Sequence, residues 1–168
     1  RKLLTLNQLE FGHEMVDISR FNITEMINGI LQGVRLLADQ NGITIEADDL
    51  ETLYVWGDAL RIEDVISNYL TNAINHADGR KQIRFFYTRY DKLVRISVFN
   101  TGKQIPESEL DKIWEKFYKV DKARSRSYGG SGIGLSIVKA IMDYHHQQCG
   151  VVNHMDGVEF YFELECDK

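Results

Sequence analysis

Two pairs of β-rich runs in this chain are joined so tightly that each pair must fold back on itself. Gln82–Tyr90 and Leu93–Phe99 are separated only by Asp91-Lys92. A link that short closes an antiparallel hairpin and cannot make a parallel crossover. Val151–His154 and Val158–Leu164 repeat the arrangement around Asp156-Gly157. The strict strand–helix alternation of a doubly wound parallel sheet is therefore excluded.

The rest of the chain supplies helices to cover such a sheet. Met15–Phe21 reads as a short strand. Asn22 then caps a helix, with Glu25 as its reciprocal partner, and Ile23, Ile27, Ile30, Leu31, Val34, Leu37 and Ala38 follow at helical spacing up to Asn41-Gly42. Ile43–Glu46 and Thr52–Trp56 read as two strands joined by an acidic turn, and Gly57-Asp58 opens a helix to about Ala77. Pro106 sits at the first turn of a short helix through Trp114. Val120–Gly130 lacks an apolar period and reads as a basic loop, and Ser131–His145 is helical. These segments predict an α+β sandwich. Leu3, Leu4, Leu6, Leu9 and Phe11 look like the last turns of a further helix, so residues 1–14 are expected to be a linker from a preceding domain and 15–168 a single domain.

Bulk properties narrow the function. A net charge of −5 argues against a general nucleic-acid surface, which is usually basic. Cys149 and Cys166 lack CxxC spacing and are expected to be free thiols in a reducing compartment. His13, His76, His145, His146 and His154 form no spaced zinc pattern. No apolar run approaches the roughly 18 residues of a membrane span, and no secretory signal opens the chain.

Two stretches carry chemistry. In Asn68-Tyr-Leu-Thr-Asn-Ala-Ile-Asn-His76, Asn68, Asn72 and His76 recur one helical turn apart, with Asn75 alongside. Asparagine is a poor helix former, so this face either is a solvated polar stripe or binds something. A carboxamide oxygen is a hard, neutral ligand suited to magnesium. Gly130-Ser-Gly132-Ile-Gly134 opens a helix, whose free N–H groups and positive dipole end suit a phosphate. Its spacing is GxGxG after a polar loop, so it is neither a dinucleotide fingerprint nor a P-loop. Lys119, Lys122, Arg124 and Arg126 just before it fit a phosphate-facing lid, or else a solvated basic surface. Asn100-Thr101-Gly102 ends a strand, where an amide could meet the exocyclic amine of adenine or simply form a turn.

Together these segments resemble the ATP-binding catalytic domain of bacterial sensor histidine kinases, from about Phe21 to Leu164. Asn68–His76 resembles the family's asparagine motif, Val98–Pro106 its first glycine motif, Ile113–Tyr118 its phenylalanine motif and Gly129–Leu135 its second glycine motif; Gly157-Val-Glu-Phe160 is similar to its closing Gly-Thr-x-Phe. The resemblance implies a mixed, mostly antiparallel five-stranded sheet with three main helices on one face and an ATP lid. It implies ATP and Mg²⁺ as cofactors, Asn72 as magnesium ligand and Asn68 as support for metal and phosphate. Asn100 would bind adenine, Gly102 would let the backbone approach the base, and His76, Asn75 and Ile105 would line the same site. Tyr118 would mark the lid hinge, and Lys119 and Arg124 would meet the phosphates. Gly130, Ser131, Gly132, Ile133, Gly134 and Leu135 would form the lid turn and the helix start.

Three positions depart from the pattern: Asn100 replaces the usual aspartate, Gln104 the second glycine, and Asn75 the usual lysine. His13-Glu-Met-Val-Asp17 lacks the basic residue and proline of a phosphoacceptor motif. The expected activity is therefore transfer of the γ-phosphoryl group of Mg-ATP to a histidine on a separate dimerisation domain of the same protein, and onward to a response regulator. The alternative is a nucleotide-binding or regulatory module without phosphotransfer. A water-activating ATPase is disfavoured, because Asn68 stands where such enzymes carry a glutamate. The chain is expected to be a monomeric cytoplasmic domain, and its parent a membrane-anchored homodimer.

Overall fold

The computed structural model of the chain describes residues 16–118 and 134–167. Their elements run β1 (Ser19–Asn22), α1 (Ile23–Gln40), β2 (Thr44–Ala47), β3 (Tyr54–Gly57), α2 (Ala59–His76), β4 (Gln82–Tyr90), β5 (Leu93–Thr101), α3 (Gly134–Tyr144), β6 (Cys149–His154) and β7 (Gly157–Cys166). The described strands form one seven-stranded sheet in the order β1-β3-β7-β5-β4-β2, with β6 also on β7. Strand pairs are antiparallel except β2–β4. The α+β class is thus as expected, but the sheet has seven strands rather than five. The short β1–β3 pair extends one edge.

β7 is the middle of the sheet. β5 follows one of its edges from Leu93↔Glu165 to Thr101↔Gly157. Its other edge is shared by β6 at one end and β3, through Val55↔Cys166 and Trp56↔Glu165, at the other. Side chains alternate across a strand. Val94, Ile96 and Val98 of β5 and Phe160, Phe162 and Leu164 of β7 are therefore buried on one face. They meet the apolar stripe of α2, which includes Ile62, Val65, Ile66, Tyr69, Leu70 and Ala73. Tyr69 is completely buried, its ring 5.5 Å from that of Phe160 and its hydroxyl donating to the Tyr161 carbonyl at 2.8 Å. Burial pushes this phenol well above its usual pKa.

Two local expectations differ. β2 and β3 do not form a hairpin but lie toward opposite edges of the sheet. Thr24 explains the crossing: its hydroxyl donates to Glu51 O at 2.8 Å and accepts from Leu53 N at 2.9 Å, so the connection is tied over the start of α1. The expected helix after Pro106 is instead two 3₁₀ turns, Glu107–Glu109 and Lys112–Trp114.

The predicted cap at Asn22 forms, and Asp58 caps the helix expected to open at Gly57-Asp58. Asn22 accepts from Glu25 N at 3.1 Å. Asp58 accepts from Arg61 N at 3.3 Å through one oxygen and from Asp17 N at 3.0 Å through the other. Its own amide donates to His145 Nε2 at 3.0 Å. His145 Nδ1 lies 2.8 Å from Ile141 O, so the ring is the neutral Nδ1–H tautomer. Burial lowers its pKa below the ordinary 6.5.

Candidate functional site

The asparagine face of α2 runs beside its apolar stripe. Asn68 is nearly buried on the flank of that stripe, while Asn72, Asn75 and His76 are half-buried further along. Asn68 Nδ2 donates to the Asp64 carbonyl one turn back, at 2.8 Å. That fixes the amide, and Oδ1 faces Gly134, the first described residue of α3. A Cβ on Gly134 would come within 3.1 Å of this oxygen. Glycine thus lets the start of α3 lie against the asparagine helix, and Leu135 packs on the core just behind.

The C-terminal end of α2 meets the end of β5. Gly102 has φ +146°, and a Cβ there would stand 2.9 Å from His76 O. Thr101 fastens the same corner: its carbonyl accepts from Asp78 N at 2.9 Å, its hydroxyl donates to Asp78 O at 2.8 Å and accepts from Gln82 N at 3.0 Å. Asn100, 3% exposed, donates from Nδ2 to the Thr101 carbonyl at 3.1 Å, which leaves Oδ1 as the acceptor of this amide. Ile105 is half-buried against the core.

Two groups of expected site residues are therefore brought together, Asn68 with Gly134 and His76 with Asn100 and Gly102. Tyr118 is engaged elsewhere. Its hydroxyl donates to Glu109 Oε1, which, with burial as a lesser cause, pushes the phenol up to about 12. Lys119, Arg124, Gly130, Ser131, Gly132 and Ile133 lie outside the described residues, as do residues 1–15 with His13. The neutral amide oxygens fit a magnesium ion, while the close approach that requires glycine at 102 is to His76 O at the end of α2.

Sequence reasoning missed Thr101 as the fastener of this corner. It placed the β6–β7 hairpin but gave it no part in the site, although Asn153, His154 and Asp156 bond to the loop that carries Gly102. A threonine between Asn and Gly at a strand end was a usable signal for the first; no local signal marked the second.

Residues 57–168 match the family described as histidine kinase-, DNA gyrase B- and HSP90-like ATPases. The sensor protein kinase WalK of Staphylococcus haemolyticus is 29% identical over 170 residues, which cover 98% of this chain and 28% of that protein. The catalytic domain of histidine kinase ThkA superposes with a TM-score of 0.76 at 30% identity over 89% of this chain and 95% of that one. ThkA is also solved in complex with the response regulator TrrA, at TM-score 0.76 and 28% identity over 98% of this chain and 47% of that one. Full-length ShkA, in complex with AMPPNP, shares the fold at TM-score 0.82 and 22% identity, over 99% of this chain and 35% of that one. The chain belongs to the histidine kinase-, DNA gyrase B- and HSP90-like ATPases, on the branch formed by the catalytic domains of sensor histidine kinases. It spans less than a third of the length of WalK.

Proposed function

We propose that this chain binds Mg-ATP between α2, the 100–105 loop and the start of α3, and passes the γ-phosphoryl group to a histidine on a dimerisation domain. That domain would hand it to a response regulator. The observation that carries the reading is the approach of Gly134 to Asn68, so close that a Cβ at 134 would stand 3.1 Å from Asn68 Oδ1. It sets the first described turn of α3 against an amide oxygen suited to a metal. Mg-ATP supplies the phosphoryl group and the cation that neutralises it. Asn72 and Asn68 would hold the cation, Asn100 and the backbone at Gly102 the base, and Lys119 and Arg124 the phosphates. These groups act by positioning and by charge, not by covalent chemistry.

The same reading makes residues 1–14 the link from the dimerisation domain and the parent a membrane-anchored homodimer. Among the described residues no helix is long and apolar enough to cross a membrane. A second reading, a nucleotide-holding module without phosphotransfer, draws on Asn75 and Asn100, which replace a cation and an anion of the family pattern.

Calorimetric titration with a non-hydrolysable ATP analogue, with and without Mg²⁺, tests the site. Magnesium-dependent binding that Asn72→Ala abolishes is expected; tight binding retained by that variant overturns the metal role. Phosphate transfer to a supplied dimerisation domain then separates the two readings.

A further inference from the structure

The loop that follows Gly102 is fastened across the tip of the β6–β7 hairpin by side chains distant in sequence. Asn153 of β6 meets Ile105 twice: its Oδ1 accepts from Ile105 N at 3.0 Å and its Nδ2 donates to Ile105 O at 2.8 Å. One carboxamide thus imitates a strand partner for a single loop residue. Gln104 Nε2 donates to the His154 carbonyl at 2.6 Å. Gly102 N donates to the Asp156 carbonyl at 3.0 Å. Arg80 pairs with Asp156 at 2.6 Å, so the loop after α2 is tied to the same turn.

We propose that Asn153, assisted by Gln104, is a positioning residue that holds the 100–105 loop in its nucleotide-binding shape and so sets affinity and base preference. The inference rests on the nucleotide reading above. Loop closure on a ligand is costly when the loop must first be ordered, and a loop already pinned avoids that cost. Asn153 bonds to Ile105 only through the backbone, so its effect is independent of the side chain at 105. Gln104 replaces a glycine of the related motif. In this fold it adds a tether that glycine cannot make, so this departure strengthens the loop.

The test uses the whole 168-residue chain and a non-hydrolysable ATP analogue with Mg²⁺, beside the matching GTP analogue. Asn153→Ala is expected to lose about tenfold in ATP-analogue affinity, the size of one or two hydrogen bonds, and to narrow the ATP-over-GTP preference. Gln104→Gly should lose about threefold by the same route. Asn153→Ser, which keeps a donor and an acceptor, should recover part of the loss. A merely structural role would lower the melting temperature and leave both affinity and base preference unchanged below it; that result overturns the inference. Should Asn153→Ala fail to fold, hydrogen exchange on the wild-type chain decides: a protected Ile105 amide supports the clamp, and exchange as fast as in an open loop overturns it. Absence of ATP-analogue binding by the wild-type chain would overturn the nucleotide reading itself. Binding by wild type and Asn153→Ala alike would overturn only the clamp.

Discussion

The two described sides of the candidate site are made rigid in different ways. The asparagine helix is held from within and from below: each turn is bonded to the last, and its apolar stripe lies on β5 and β7. The 100–105 loop has no ladder of its own beyond Thr101, and is held from outside: Asp78 and Gln82 bond to Thr101, the His154 carbonyl to Gln104, Asn153 to Ile105 and the Asp156 carbonyl to Gly102. Local periodicity builds the first kind of wall. The second kind requires that a remote hairpin has already folded, so its shape depends on the completed sheet.

The largest expected effect breaks the helix side from below. Phe162→Ala removes a fully buried ring from beneath Tyr69 and should destabilise the protein by about 3–5 kcal/mol, read as a lower denaturant midpoint. Next comes the loop. Gly102→Ala forces a side chain into φ +146° and against His76 O, and should cost of order 1–3 kcal/mol while displacing the loop. Weakened ATP-analogue binding should accompany that loss; a variant with unchanged stability and affinity would show that this approach is not tight in solution.

A smaller effect probes the tie between α3 and the N-cap of α2. His145 is neutral in the fold and its pKa is lowered by burial, whereas the unfolded chain takes up the proton near 6.5. The unfolded state therefore binds more protons below that pH. The contribution is complete above about 6.5 and is lost as pH falls through and below it. Urea midpoints at pH 7.5 and 5.5 should differ in that direction, and His145→Gln should reduce the difference. The smallest effect falls on the base. Asn100→Asp keeps an acceptor for the base and adds charge but gives up the Nδ2 bond to the Thr101 carbonyl, so ATP-analogue affinity should change by no more than a few-fold. A complete loss would show that the adenine assignment is wrong.

The same contrast explains what the sequence could reveal. Asn22 was legible as a cap, and Gly57-Asp58 as a helix start, because capping is a matter of three residues. The asparagine face was legible because spacing on a helix maps directly to space. The parallel pairing of β2 with β4 was not, since its partners lie almost forty residues apart and the 48–53 connection is tied to Thr24, far back in the chain. His145 offered only an adjacent-histidine pair, and its partner Asp58 lies far back in the chain. Asn153 was invisible for a related reason: forty-eight positions separate it from Ile105, and nothing in either segment names the other.

The central position of β7 also bears on the order in which the protein is made. A ribosome releases residues 157–166 after every other described strand, yet both edges of that strand are occupied. Until they emerge, β5 has one bare edge, and β3 and β6 lack their shared neighbour. The nascent chain must therefore carry exposed strand edges and an incompletely covered α2 stripe until that segment is available. Loss of a few residues from it would open the sheet at its middle rather than trim it at a border.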